Sequence, residues 1–238
     1  EAGGNRRGEL VDRRNTPWAS LLTVVSAERN QTLRGQARID VNGPNLSMVH
    51  RQLAAVLDRS WADFIVRYRQ YGPYRGPRSA SSDAIPALDL TRPARVRIES
   101  LLDLIGAKVL LGAGNPRTAP GVASPLSEDP AQMRYKIHLL LEAATVTPAT
   151  VIEGKINVNL ASRPVLLAIP GIDAALVDRI LVARSSQGSR EDARRHFPTW
   201  LWTDGLVDLA TMKRLLPYLT GGGDVVRAQV IGYDEKSR

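Results

Sequence analysis

The sequence contains no cysteine in its 238 residues, which excludes disulfides and thiolate metal sites and leaves the compartment open. It has no apolar run near the roughly eighteen residues of a membrane span, and no signal peptide is visible. The chain opens on Glu1 without an initiator Met, so a fragment or processed form is expected, with any membrane anchor upstream. Signatures of catalysis are missing as well: there is no nucleophile elbow, phosphate loop or zinc-protease motif. His50, His138 and His196 stand far apart with no local ligand spacing. The GAGNPR stretch with Gly112 and Gly114 lacks the third glycine and following helix of a dinucleotide fingerprint, and reads as a loop. TDGLVD, with Asp204, Gly205 and Asp208, lacks the alternating acids and terminal Glu of a calcium loop, and reads as helix capping. A non-enzymatic protein with no catalytic or metal-binding residues is expected.

What is present is ordinary for a globular protein: 43% apolar and 24% charged residues, enough for one sizeable core or two small ones. The net charge of +8 and pI near 10.2 permit contact with nucleic acid or another anionic surface. They do not demand it, because the excess is mostly Arg scattered along the chain.

The organising stretch is IEGKINVNLASRPVLLAIPGIDAALVDRILVAR, residues 152 to 184. Ile156 and Val158 alternate with polar residues as a strand-like lead-in. Ser162 stands at a helix N-cap with Pro164 just inside the first turn, where its missing amide hydrogen costs nothing. Val165, Leu166, Leu167 and Ile169 supply that helix. Pro170 and Gly171 end it, and a positive φ at Gly171 makes the tight turn. Asp173 caps the next helix, in which Leu176, Val177, Ile180 and Leu181 form one apolar stripe. The hairpin turn is thus Ile169, Pro170, Gly171, Ile172 and Asp173.

These residues resemble the helix-hairpin-helix repeat, in the version found in the minor pseudopilin K family of type II secretion (general secretion pathway protein K). INVNLAS followed by LLAIPGI and ALVDRILVAR carries the resemblance, which extends more loosely from LLTVVSAERN at 21 to 30 to DVVRAQVIGY at 224 to 233. It implies a non-enzymatic pseudopilus tip protein assembling with other minor pseudopilins for protein export. It also implies a place on the periplasmic side of the inner membrane, anchored there in the full-length protein. A structural calcium belongs to the resemblance alone, since no motif here supports one. A pilin-like sheet that includes the closing strand is implied too, whereas the family's long N-terminal helix has no counterpart.

The expected fold is mainly α with short strands, an α+β arrangement of two helix-hairpin-helix-like repeats and a C-terminal strand. Residues 1 to 15 read as a flexible lead, with a short strand or buried segment at Trp18 to Val25. Residues 16 to 79 hold the first repeat, 80 to 145 a connecting segment, 146 to 220 the second repeat, and 221 to 238 the closing strand and tail. The duplication rests on Ile39, Asp40, Val41 and Asn42 matching Ile156, Asn157, Val158 and Asn159, and on Asp63, Ile65 and Arg69 matching Asp178, Ile180 and Arg184. Leu46, Val49, Leu53, Val56 and Leu57 predict one stripe, and Trp61, Phe64, Ile65 and Tyr68 another. Residues 71 to 94 read as a Pro/Gly/Ser-rich linker or exposed excursion, and 95 to 111 as a strand followed by a short helix or second strand. Asp129 and Pro130 open a helix with Met133, Ile137, Leu140 and Leu141 on one face; Ser189 caps a short helix; Asp208 begins another that Pro217 limits.

The alternative function is a DNA-binding helix-hairpin-helix module like that of a competence DNA receptor. Such modules resemble LPGIG and present hairpin amides to a phosphate. Here Asp173 replaces the second glycine, and the first copy reads VLDRS with neither Pro nor Gly. Arg190, Arg194 and Arg195 form a candidate basic surface. Weak, nonspecific nucleic-acid binding is the most such screened charge supports.

Overall fold

The computed structural model describes residues 26–74, 76, 85–110, 121–186 and 192–224. Among the described residues the protein is a mixed α/β structure of eight helices and eight short strands, compatible with an α+β class. The strands pair two by two. β1 (Ala27–Arg29) runs antiparallel to β6 (Val151–Glu153), and β3 (Lys108–Leu110) antiparallel to β4 (Gly121–Ala123). The other two pairs are parallel. β2 (Ile39–Asp40) lies on β5 (Ala144–Thr145), with Ile39 opposite Ala144. β7 (Ile156–Asn157) lies on β8 (Leu219–Thr220), with Ile156 opposite Leu219.

Each parallel pair closes a run of helices. Between β2 and β5 come α1 (Leu46–Val56), α2 (Arg59–Tyr71), a 3-10 turn at Leu101–Leu104, the β3–β4 pair, α3 (Pro130–Met133) and α4 (Ile137–Ala143). Between β7 and β8 come α5 (Arg163–Leu167), α6 (Ala174–Ser186), a 3-10 turn at Ala193–His196, α7 (Trp200–Thr203) and α8 (Leu209–Leu215). The connecting segment read at 80 to 145 therefore ends as a strand paired with β2, and Asn42 also reaches across the expected boundary to Val146. One continuous core links both runs, from Val41 and Leu53 through Phe64, Leu102 and Leu140 to Leu166, Ile180, Trp200 and Leu219.

α1 starts where Asn45 accepts a bond from the Met48 amide, satisfying one of the donors a helix start leaves unpaired. Its expected stripe is buried at Leu46, Val49 and Leu53, but Val56 is 60% exposed. α1 stops there: Leu57 and Asp58 make a two-residue break, and the chain turns before the stripe can complete another turn. α2 departs from a one-sided helix, for Arg67, Arg69 and Gln70 are buried along with Trp61, Phe64, Ile65 and Tyr68. Part of the stretch read as a linker covers it. Arg67 donates to the Pro86 carbonyl, Gln70 to those of Asp89 and Arg92, and the Arg95 and Val96 amides bond to Arg69 O.

The strand expected at the start of 95 to 111 does not form: among the described residues Arg95 to Ile98 pair with no strand, and the 3-10 turn and then β3 follow. Asp129 caps α3 with Pro130 at its start, as expected, yet the helix breaks at Arg134 to Lys136 and resumes as α4. Met133, Ile137, Leu140 and Leu141 are all buried despite the break. The lead at 1 to 15, the Trp18 to Val25 segment, Gly112, Gly114, Ser189, Arg190 and the closing strand from Val225 onward lie outside the described residues.

Candidate functional site

The matching tetrapeptides IDVN and INVN occupy matching places. The Val41 amide bonds to Thr145 O and the Val158 amide to Thr220 O, both at 2.9 Å. The Asp40 carboxylate accepts from the Asn42 amide, and the Asn157 side chain from the Asn159 amide, both at 2.9 Å. Each second asparagine then bridges two distant backbones. Asn42 Nδ2 donates to Ile98 O and Val146 O at 2.9 Å, and Asn159 Nδ2 to Arg195 O and Gly221 O at 2.7 Å. An arginine from the second helix of each pair comes back to the same valine. Arg69 Nη1 donates to Val41 O and Gly43 O, and Arg184 Nη1 to Val158 O and Ala161 O. The paired acids also point back to the first helix: Asp63 holds His50 at 2.6 Å, and Asp178 holds Arg163. The helix preceding the hairpin differs, with eleven residues in α1 and five in α5.

At the second hairpin Gly171 has φ +85°, the left-handed conformation expected of it. Ile169 and Ile172 are buried on either side, while Pro170 and Gly171 face solvent. Ser162 stands at the N-cap of α5 without a side-chain bond, so Pro164 and the buried Leu166 define that short helix; Leu167 is exposed. Asp173 Oδ1 accepts from the Leu176 amide at 2.7 Å, and Asp173 O from the Val177 amide. The Leu176 amide, one of those an anion would use at the start of α6, is thus already bound to a carboxylate of the chain itself.

Arg194 and Arg195 do not form an exposed basic surface; each side chain is only 13% exposed. They converge with Arg134 on the nearly buried Asp204, at 3.3, 3.4 and 3.4 Å. Arg194 also binds Asp192 at 2.5 Å and faces the Tyr135 ring, while the Arg195 guanidinium lies 3.8 Å over the Trp200 ring. Burial works to raise the Asp192 pKa, but its bonds and charge contacts with Arg194 and Arg195 outweigh that and hold it below the usual value. Asp204 closes α7 as its C-cap, its amide bonded to Trp200 O, while its carboxylate is the hub of an ion cluster; Asp208 caps the start of α8, accepting from the Thr211 amide at 2.6 Å. Sequence reasoning missed the cluster because its hub, Asp204, and Arg134 reach the 3-10 turn of Arg194 and Arg195 from separate elements with no common spacing.

A cleft of about 340 Å³ opens between the two helical runs, at the ends of β5 and β8. Leu101, Leu141, Phe197 and Leu216 form much of its apolar wall, and Glu28, Arg38 and Lys155 bring charge to it. Lys155 Nζ stands 3.8 Å from Glu28 Oε1, and Glu28 Oε2 accepts from Thr220 Oγ1 at 2.5 Å. Burial lowers the pKa of both Lys155 and Arg38, with Glu28 opposing in each case. Among the described residues no group of three or more His, Cys, Asp or Glu is placed to hold a metal, and no helix is long and apolar enough to cross a membrane. No family model, no curated protein and no solved structure matches this chain.

Proposed function

We propose that this protein is a non-enzymatic component of a type II secretion pseudopilus, a minor pseudopilin K-like tip protein that assembles with other pseudopilins on the periplasmic side of the cell envelope. In this reading the segments 39 to 69 and 156 to 184 are two copies of one helix-hairpin-helix-like unit. The paired valine, asparagine and arginine bonds support it, since each copy locks its lead-in strand to its second helix by the same donors and acceptors.

The observation that carries the choice of a protein partner over DNA is the Asp173 carboxylate on the Leu176 amide. A phosphate approaching that helix start would meet a fixed negative charge and an amide already taken. The turn between α1 and α2 offers less, for Asp58 makes no side-chain cap bond and there is no glycine to bring backbone close to a ligand. The helices instead expose apolar side chains, Val56 on α1, Leu167 on α5 and Val182 on α6, that a protein neighbour would cover. Co-purification of the full chain with purified minor pseudopilins tests the reading. A stable complex is expected, and failure of every minor pseudopilin to associate at micromolar concentration would overturn it.

A further inference from the structure

We propose that the cleft between the two helical runs binds a carboxylate carried on an apolar body, with the Arg38 guanidinium receiving the acid and Lys155 adding charge beside it. This inference does not rest on the pseudopilin reading.

The starting point is Arg38. Its side chain is half-buried, yet among the described residues it makes no hydrogen bond and no ion pair, and its Nε lies buried without an acceptor. Its contact on the cleft wall is the Phe197 ring, 5.5 Å from the guanidinium carbon. An arginine stays charged and carries five donors in a fixed fork, so a buried Nε without an acceptor is costly, and the rest of the fork is left for whatever enters the cleft. The other cations of the cleft are engaged: Lys155 faces Glu28 at 3.8 Å, and Lys213 faces Asp103 at 3.6 Å.

The surroundings narrow the ligand. Leu101, Leu141, Ile152 and Leu216 line the cleft, so most of what enters it must be apolar. Glu28, Glu142 and Asp224 all act on Arg38 through their charge, which disfavours a doubly charged phosphate. A single carboxylate matches the guanidinium fork with two parallel bonds and adds only one negative charge. The volume of about 340 Å³ suits a small organic acid or the last residues of a peptide with a free chain end.

The test uses the full chain and two matched pairs of probes. One pair is phenylbutyrate and its amide; the other is a short apolar peptide with a free C-terminus and the same peptide amidated. Isothermal titration should show saturable binding of at least one acid and none of its amide. Arg38→Gln and Lys155→Gln should each weaken that binding by at least about tenfold, the scale of a charge-assisted bond lost from a sheltered site. Tighter binding of the free-ended peptide assigns the site to a chain end, and tighter binding of phenylbutyrate assigns it to a small acid. The proposal fails if neither acid binds, if the amides bind as well, or if a folded Arg38→Gln variant keeps its affinity. Should that variant not fold, unchanged affinity in Lys155→Gln overturns the proposal equally.

Discussion

Two glycines separate two reasons for needing one. At Gly171 a built Cβ would meet nothing nearer than Leu215 Cδ2 at 4.0 Å, so the cost of a side chain is the positive φ alone. Gly171→Ala is therefore expected to destabilise the protein by about 1 kcal/mol in urea unfolding. Gly221 shows no such φ, but a Cβ there would lie 2.2 Å from the Arg195 carbonyl oxygen and 2.5 Å from the His196 carbonyl carbon. Those are backbone atoms, held in part by the Asn159 bonds to Arg195 O and Gly221 O, and no side-chain rotation relieves the overlap. Gly221→Ala should cost more than Gly171→Ala, roughly 2 kcal/mol or above; equal costs would show that this close approach relaxes. Three consecutive glycines at 221 to 223 do not by themselves distinguish a hinge from a crossing point. His138 carries a pH prediction. Burial, with Arg194 adding and Asp192 and Glu142 opposing, lowers its pKa below the ordinary imidazole value. The unfolded chain then binds the proton more readily, so this contribution to stability is whole above about pH 6.5 and is lost as pH falls from there toward the lowered folded value. Replacing His138 by Gln should flatten the fall in urea midpoint between neutral and mildly acidic pH relative to the wild type.

At the scale of elements, the apolar stripes and caps were legible, and the partners of the polar residues were not. Asp129, Asp173 and Asp208 cap the helices that follow them as the sequence led one to expect, because a short acceptor side chain before an apolar period has a local reason to be there, whereas Ser162 holds the N-cap place without a bond. Asp173→Ala should cost about 1 kcal/mol and Asp173→Gly only a few tenths, measured by thermal unfolding. Equal losses would mean that Asp173 acts through something other than its cap. The long side chains behaved differently. Arg67, Gln70 and Arg69 sit on the face of α2 that periodicity assigns to water, and a loop twenty or so residues later in the chain supplies acceptors to each. No rule of spacing along one helix contains that information. The same holds for Arg69 and Arg184, whose correspondence was visible as two matched letters while the carbonyls they hold were not. Arg69→Lys is consequently expected to be poorly tolerated, by about 2 kcal/mol or more, since a point-like ammonium cannot serve Val41 O and Val96 O together. The broken helix at Arg134 belongs to this class too: Arg134 reaches the Asp204 cluster from the break, and its neighbours in sequence give no sign of it.

For the whole molecule the question is what a net charge of +8 does when its arginines are examined one by one. Arg67, Arg69 and Arg184 donate to backbone carbonyls. Arg134, Arg194 and Arg195 surround Asp204, Arg163 holds Asp178, and Arg38 turns into the cleft. Seven of the 32 Lys and Arg residues therefore hold helices and loops to one another, in a fold whose four strand pairs are only two or three residues long. DNA binding of useful strength needs several cations free to displace counterions along one duplex face, ordinarily around a helix start that accepts phosphate. In this chain Asp173 occupies an amide at that start, and the two described arginines of the candidate basic run face inward. Duplex DNA is accordingly expected to bind only at micromolar concentration or weaker, without sequence preference and with a steep loss as salt rises. A fluorescence titration at about 50 mM and about 150 mM salt measures both the strength and the slope. Submicromolar binding that survives the higher salt and disappears in Gly171→Glu would place a phosphate on the hairpin and reverse the choice of partner. Weak binding that Gly171→Glu leaves unchanged would assign the residual affinity to scattered exposed charge, and the helix pairs to contact with protein.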